Sequence, residues 1–260
     1  MESVILKKLD IKGILSESIQ VYKSNVGLLI ILSILSFALA KVSGVLLNLK
    51  TIPFVSDNMF LLAATSIVGL IIAYVVIFYS IRVSVAIELA VRDLCEGKSV
   101  TVLESYKNAK GYAWQVFLTV LVLILMLTIP FLVIRSGLKM QLPFVMRVFM
   151  IIIGGVSLVF IGVKNGLAPI TRVLAPEIGN HFWYSNKLVK GNFKEVLALF
   201  ALSYIGFAIN FALTNSIELS SIKTLNIILF EIVPAVITIL FRPFQACIMV
   251  ITFLRLVSRR

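Results

Sequence analysis

Three basic residues, Arg82, Lys164 and Arg242, interrupt the long apolar runs of this chain at intervals of 82 and 78 residues. A cation inside a bilayer is costly unless it is paired, hydrated or able to reach the headgroups, so an intramembrane charge marks a candidate site. The chemistry open to such a set is electrostatic capture of a phosphate or carboxylate. The plainer reading is three long stems that snorkel to the inner headgroups. Glu231 lies eleven residues, close to three helical turns, before Arg242, and Pro243 follows it. The proline lacks an N–H and clashes with the preceding turn, which frees a carbonyl and kinks the helix. Arg82, Lys164, Arg242 and Glu231 therefore form the candidate anion or lipid-headgroup site.

Other chemistries find little support. His181 is the only histidine and has no cluster of cysteine, histidine or carboxylate with metal-ligand spacing near it, so it is expected to be an interfacial side chain. No nucleophile elbow, phosphate-binding loop or dinucleotide fingerprint appears. Glu88 and Glu231 fall toward opposite ends of different helices, an arrangement unsuited to paired acid and base work. No enzyme activity, cofactor or metal is expected. Cys95 sits in a charged segment and Cys247 in an apolar one, so they are expected at different depths and unpaired.

The elements that must position these residues are helices in lipid. Of 260 residues 60% are hydrophobic and 14% charged, with mean hydropathy +1.07, well above the roughly 45 to 50% apolar content of soluble domains. A hydrocarbon core about 30 Å thick needs about 20 apolar helical residues. Six stretches qualify: 26–49, 59–81, 112–134, 148–171, 196–217 and 224–254. A basic leader followed by Ala38-Leu39-Ala40 also fits a signal-cleavage site. The helical patterning of the leader and the resumption of apolar sequence at 42–49 favour an uncleaved first helix. With six crossings, 15 basic residues fall on the side of both termini and six on the other. Both termini are thus expected in the cytoplasm, in a plasma membrane. The net charge of +12 follows from that excess. Anionic headgroups, not nucleic acid, are its expected counter-surface.

An internal repeat organises the helices. Short amphipathic segments precede the odd-numbered crossings and align without gaps: Glu17-Ser18-Ile19-Gln20-Val21-Tyr22-Lys23, Glu104-Ser105-Tyr106-Lys107-Asn108-Ala109-Lys110 and Tyr184-Ser185-Asn186-Lys187-Leu188-Val189-Lys190. The serines, like the final lysines, are 87 and 80 residues apart. Each segment reads as an elbow helix lying in the interface, with Lys23, Lys110 and Lys190 toward phosphate. The expected fold is all-α and integral to the membrane: one domain over 1–260, in which six transmembrane helices form three units of elbow plus helical hairpin, about 1–98, 99–177 and 178–260. The second crossing runs on past Arg82, so its end is expected to project beyond the bilayer as a contact surface. Glu88 and Arg92 would pair there at i,i+4. Gly154, Gly155 and Gly162 are suited to close helix approach.

The elbows, with the runs Ala90-Val91-Arg92-Asp93-Leu94-Cys95-Glu96-Gly97-Lys98 and Glu104-Ser105-Tyr106 followed by Ala109 and Trp114, resemble the membrane domain found in glycerophosphodiester phosphodiesterase-like proteins. Ser185, Leu188, Val189, Lys190, Gly191 and Phe193 are similar to that family's serine, basic-glycine and aromatic pattern. The resemblance implies a shared membrane architecture. The hydrolase activity belongs to a soluble barrel carried by some members, and no such barrel lies in these 260 residues. The leading expectation is a noncatalytic membrane module that binds anionic lipid or a partner protein at the cytoplasmic side. The alternatives are a transporter or channel for a small anion or lipid headgroup, and the membrane subunit of a phosphodiesterase system.

Overall fold

The computed structural model describes residues 9–48, 59–140, 143–216 and 232–259. Among them the protein is all-helical, without strands. Eleven helices follow one another: α1 (Ile11–Ser24), α2 (Val26–Asn48), α3 (Met59–Cys95), α4 (Val102–Asn108), α5 (Lys110–Lys139), α6 (Phe144–Asn165), α7 (Ala168–Leu174), α8 (His181–Val189), α9 (Phe193–Ser203), α10 (Ile205–Ser216) and α11 (Val233–Val257). The chain divides into two compact units. One comprises Ser18–Trp114 and Ser203–Cys247, and the other Met1–Glu17, Gln115–Leu202 and Ile248–Arg260.

Among the described residues four helical stretches are long and apolar enough to cross a bilayer: Ile67–Cys95, Lys110–Lys139, Phe144–Leu174 and Val233–Val257. A fifth is counted if α1 and the start of α2, which meet at 86°, make one broken span. The crossing expected at 196–217 falls on α9 and α10, of 11 and 12 residues, separated at Tyr204. The protein is therefore embedded in a membrane by several apolar helices. Their outward faces carry large apolar side chains, among them Ile124, Ile129 and Phe131 of α5 and Phe149, Ile152 and Val156 of α6. That exposure is ordinary where the solvent is acyl chain.

In the unit built on Ser18–Trp114, α2 turns Leu29, Leu32, Ser33 and Ser36 inward at helical spacing, while Ile31, Ile34 and Leu35 face out. The Ser36 and Ser80 hydroxyls meet at 3.5 Å, joining α2 to α3. α3 has 37 residues, about 55 Å at 1.5 Å per residue. Its first part is lipid-like in exposure, with Ile67, Val68, Ile71 and Ile77 outward. Its second part is core: Val83, Val85, Ala86, Ile87, Leu89, Ala90 and Val91 are all buried. This corrects the expectation of a projecting contact surface, because α4 folds back against α3. The expected Glu88–Arg92 pair is likewise absent among the described residues. Arg92 instead donates to its neighbour Asp93, at 3.0 and 2.7 Å from Nε and Nη2.

Local chemistry sets the elbow boundaries. Thr101 caps α4 by accepting from the Glu104 amide at 3.3 Å, and the Glu104 carboxylate accepts in return from the Thr101 amide, a capping box. Asn180 caps α8 by accepting from the Trp183 amide at 2.9 Å. Gly191, at φ 90°, supplies the left-handed residue that lets the chain leave α8 and enter α9. The three aligned serines Ser18, Ser105 and Ser185 are all buried, and the aligned lysines Lys23, Lys110 and Lys190 are all exposed. Neither Cys95 nor Cys247 forms a disulfide.

In the other unit α6 ends at Asn165 and α7 begins at Ala168, with Pro169 in its first turn. Pro169 has no N–H to offer the Asn165 carbonyl, so one apolar run becomes two helices. Residues 17 and 255 clasp across 238 residues of chain: Arg255 Nε and Nη2 both donate to Glu17 Oε2, at 3.1 and 2.6 Å. Of the three glycines suited to close packing, only Gly154 is tightly enclosed. A Cβ there would stand 2.6 Å from Ile134 Cγ1 and 2.9 Å from the Pro130 carbonyl oxygen, whereas Gly155 and Gly162 face open space. Gly154→Ala is therefore expected to unfold in detergent at lower temperature than Gly155→Ala. The gap should be at least about 1 kcal/mol, since overpacking against backbone opposes the gain in helix propensity that both share. Equal melting temperatures would remove Gly154 from the α5–α6 contact.

Candidate functional site

At α8 two classes of basic residue singled out by spacing come together. Lys164 is in the last turn of α6, and Lys190 follows α8. Both line a cavity of about 590 Å³ with Trp183, Asn186, Lys187 and Phe193. Three ammonium groups and two aromatic rings thus border one concave surface, with no carboxylate among its lining residues. The Lys164 ammonium lies 3.9 Å from the centre of the Phe160 ring, and that of Lys187 5.0 Å from Trp183. These cation–π contacts set the charges against aromatic faces.

The elbow is fixed to α6 by backbone chemistry. Ser185 donates its hydroxyl to the Lys164 carbonyl at 2.7 Å, satisfying a helix-end acceptor that has no intrahelical partner. Asn186 Nδ2 donates to Asn165 Oδ1 at 2.9 Å and to the Phe182 carbonyl at 2.8 Å. Lys187 and Lys190, three residues apart, fall on neighbouring positions of the elbow. Lys187 and Trp183 had not been singled out as site residues, although the i,i+3 spacing of Lys187 and Lys190 signals a shared face.

Arg82 serves the preceding elbow in a related way. Its Nε and Nη2 donate to the Tyr106 carbonyl at 3.2 and 3.1 Å, and the guanidinium stacks 4.0 Å from the centre of the Tyr106 ring. Tyr106 follows Ser105 as Asn186 follows Ser185, so the Arg82 and Lys164 positions each hold the elbow that comes next in sequence. Arg242 bonds differently: its Nη2 donates to Ser84 Oγ at 2.6 Å, and Glu88 is the carboxylate within its electrostatic reach. Glu88 Oε2 is shut off from solvent and has no hydrogen-bond partner among the described residues. Glu231, the fourth candidate, lies outside the described residues. Lys23 and Lys110 are exposed at the first and second elbows.

His181, expected as an interfacial side chain, is enclosed by the protein. It is buried at the start of α8, where α8 packs on α7, and Arg172 Nη1 donates to its Nε2. An accepting Nε2 places the ring proton on Nδ1. Burial, and next the Arg172 charge, lower its pKa below 6.5, against an opposing pull from Glu177. Comparison with known protein families, curated proteins and solved structures finds no match for the chain.

The His181 arrangement has a pH consequence. Its folded pKa is below the unfolded value, so its contribution to stability is complete above about pH 6.5 and is lost as pH falls below that. In a Trp114→Phe variant Trp183 is the sole tryptophan and reports on α8. The thermal transition of its fluorescence is expected at lower temperature at about pH 5 than at about pH 7.5, and His181→Gln should shrink that difference. A difference unchanged by His181→Gln would assign it to other groups.

Proposed function

We propose that this chain is a noncatalytic integral membrane module that binds anionic lipid headgroups through the α8 cavity. The observation that carries the reading is the convergence of Lys164, Lys187 and Lys190 on one concave surface with Trp183 and Phe193. Aromatic rings of this kind favour the headgroup zone, and basic pockets beside transmembrane helices suit phosphate headgroups. The hydrogen bonds from Ser185 and Asn186 to the end of α6 support a preformed site that need not be ordered when the lipid arrives.

The finer architecture belongs to the same proposal. Six crossings, in three units of elbow and hairpin, are supported by the buried serines and exposed lysines that recur at aligned positions. The cations at 82 and 164, each beside the following elbow, add to that support. The excess of basic residues on one side supports cytoplasmic termini in a plasma membrane. The likeness to the membrane domain of phosphodiesterase-like proteins is a proposal of common architecture resting on the short motifs quoted above.

Two measurements test this reading. In native mass spectrometry from nanodiscs containing an acidic phospholipid, Lys164→Gln/Lys187→Gln/Lys190→Gln is expected to lose retained lipid. Its affinity should fall by about 3 kcal/mol, at about 1 kcal/mol per lysine near a charged surface. Arg135→Gln/Lys139→Gln/Arg147→Gln should retain it, and equal retention by both variants would remove the cavity from lipid binding. For orientation, in a Cys95→Ser/Cys247→Ser background, Met140→Cys should react with an impermeant maleimide in intact cells and Ser99→Cys only after permeabilisation. The reverse pattern would invert the topology.

A further inference from the structure

We propose that the cleft between α10 and α11 is a second binding site, which takes a small planar monoanion of the carboxylate class on the guanidinium of Arg242. The cleft has a volume of about 270 Å³ and is bordered by Ser203, Asn210, Thr238, Phe241, Arg242 and Gln245. Polar side chains on facing helices of an apolar bundle are costly unless they bond one another or a ligand. Asn210 and Thr238 meet the first condition: Asn210 Nδ2 donates to Thr238 Oγ1 at 2.9 Å and to the Pro234 carbonyl at 3.1 Å, and Thr238 donates to the same carbonyl at 2.8 Å.

Arg242 meets it only in part. Ser84 takes one of the five donors of the guanidinium, and no other hydrogen bond or ion pair to Arg242 occurs among the described residues. Glu88 answers the charge through space without ion-pair contact, and its own buried Oε2 is unpartnered among those residues. The guanidinium is therefore under-bonded, and Arg242 borders the cleft.

The shape of the cleft narrows the ligand. One arginine balances one negative charge, and its planar fork matches a carboxylate with two parallel hydrogen bonds. About 270 Å³ is below the range of about 300 to 1,000 Å³ that holds larger ligands, so a short organic acid fits and a lipid headgroup does not. Phe241 supplies an apolar wall for its tail. A Cβ at Gly206 would stand 2.4 Å from Phe241 Cγ, so the absent side chain at 206 is what lets that ring lie against α10.

Glu88 makes no contact with the guanidinium, so the loss of Arg242, and not of Glu88, is expected to change carboxylate binding. Purified protein in neutral detergent, titrated calorimetrically with sodium propionate, is expected to show saturable binding. Propionamide, chloride and phosphate at matched ionic strength should bind more weakly. Arg242→Gln should lose at least about tenfold in affinity, whereas Glu88→Gln should bind within about threefold of the parent protein. If Arg242→Gln does not elute as a monodisperse species, Arg242→Lys, which keeps the charge without the planar fork, should lose at least about threefold. Absence of saturable binding, equal binding of propionamide or phosphate, an Arg242 variant that binds like the parent protein, or a loss in Glu88→Gln as large as that in Arg242→Gln would overturn the proposal. Because Lys164, Lys187 and Lys190 remain intact throughout, each of these results leaves the lipid reading of the α8 cavity standing.

Discussion

A helix that ends at a membrane surface leaves carbonyls without intrahelical donors, and lipid tails offer none. Where the chain must then run along that surface, something has to bond those groups and hold the turn. In this protein polar side chains bond two such carbonyls, one at the end of α6 and one in the last turn of α4. Ser185 bonds the Lys164 carbonyl, and Arg82 bonds the Tyr106 carbonyl. The same residues that read as costly intramembrane charge thus stand where an elbow is anchored. The stacking of Arg82 on Tyr106 and of Lys164 on Phe160 keeps the charged groups at an aromatic boundary, a less costly place than the hydrocarbon centre.

That anchoring links fold to site. Once α8 is held against the end of α6, Lys187 and Lys190 are fixed relative to Lys164, and the cavity exists without further ordering. Arg242 belongs to a different situation. Its bonding partner is the Ser84 side chain, the acidic group nearest in charge is the buried Glu88, and the residue borders a cleft. Three cations related by spacing therefore do separate physical work, two at elbows and one between helices.

The sequence made some of this legible. Long apolar runs identify α3, α5 and α6 because a bilayer sets a minimum length, and the aligned amphipathic segments at 104–110 and 184–190 mark α4 and α8 within a few residues. The interval between Arg82 and Lys164 points to related positions. Their partners were not legible, because the acceptor for Arg82 and the group that Ser185 serves are backbone carbonyls, which every residue carries. The burial of 83–91 was also hidden: its apolar pattern suits exposure to lipid as well as contact with α4. The partner of His181 was hidden for a similar reason, since its aromatic neighbours in sequence say nothing of Arg172, its neighbour in space.

The clasp between Glu17 and Arg255 bears on how the molecule is made. A ribosome adding about 5 to 20 residues per second needs about 10 to 50 s to reach Arg255 after Glu17 has emerged, given the 238 residues between them. Throughout that interval Glu17 lacks the partner it has in the finished protein, and the emerging helices must enter the bilayer around an unfastened leading segment. Closure is thus a late event in biogenesis, a latch set after the helices that precede residue 255 have been synthesised.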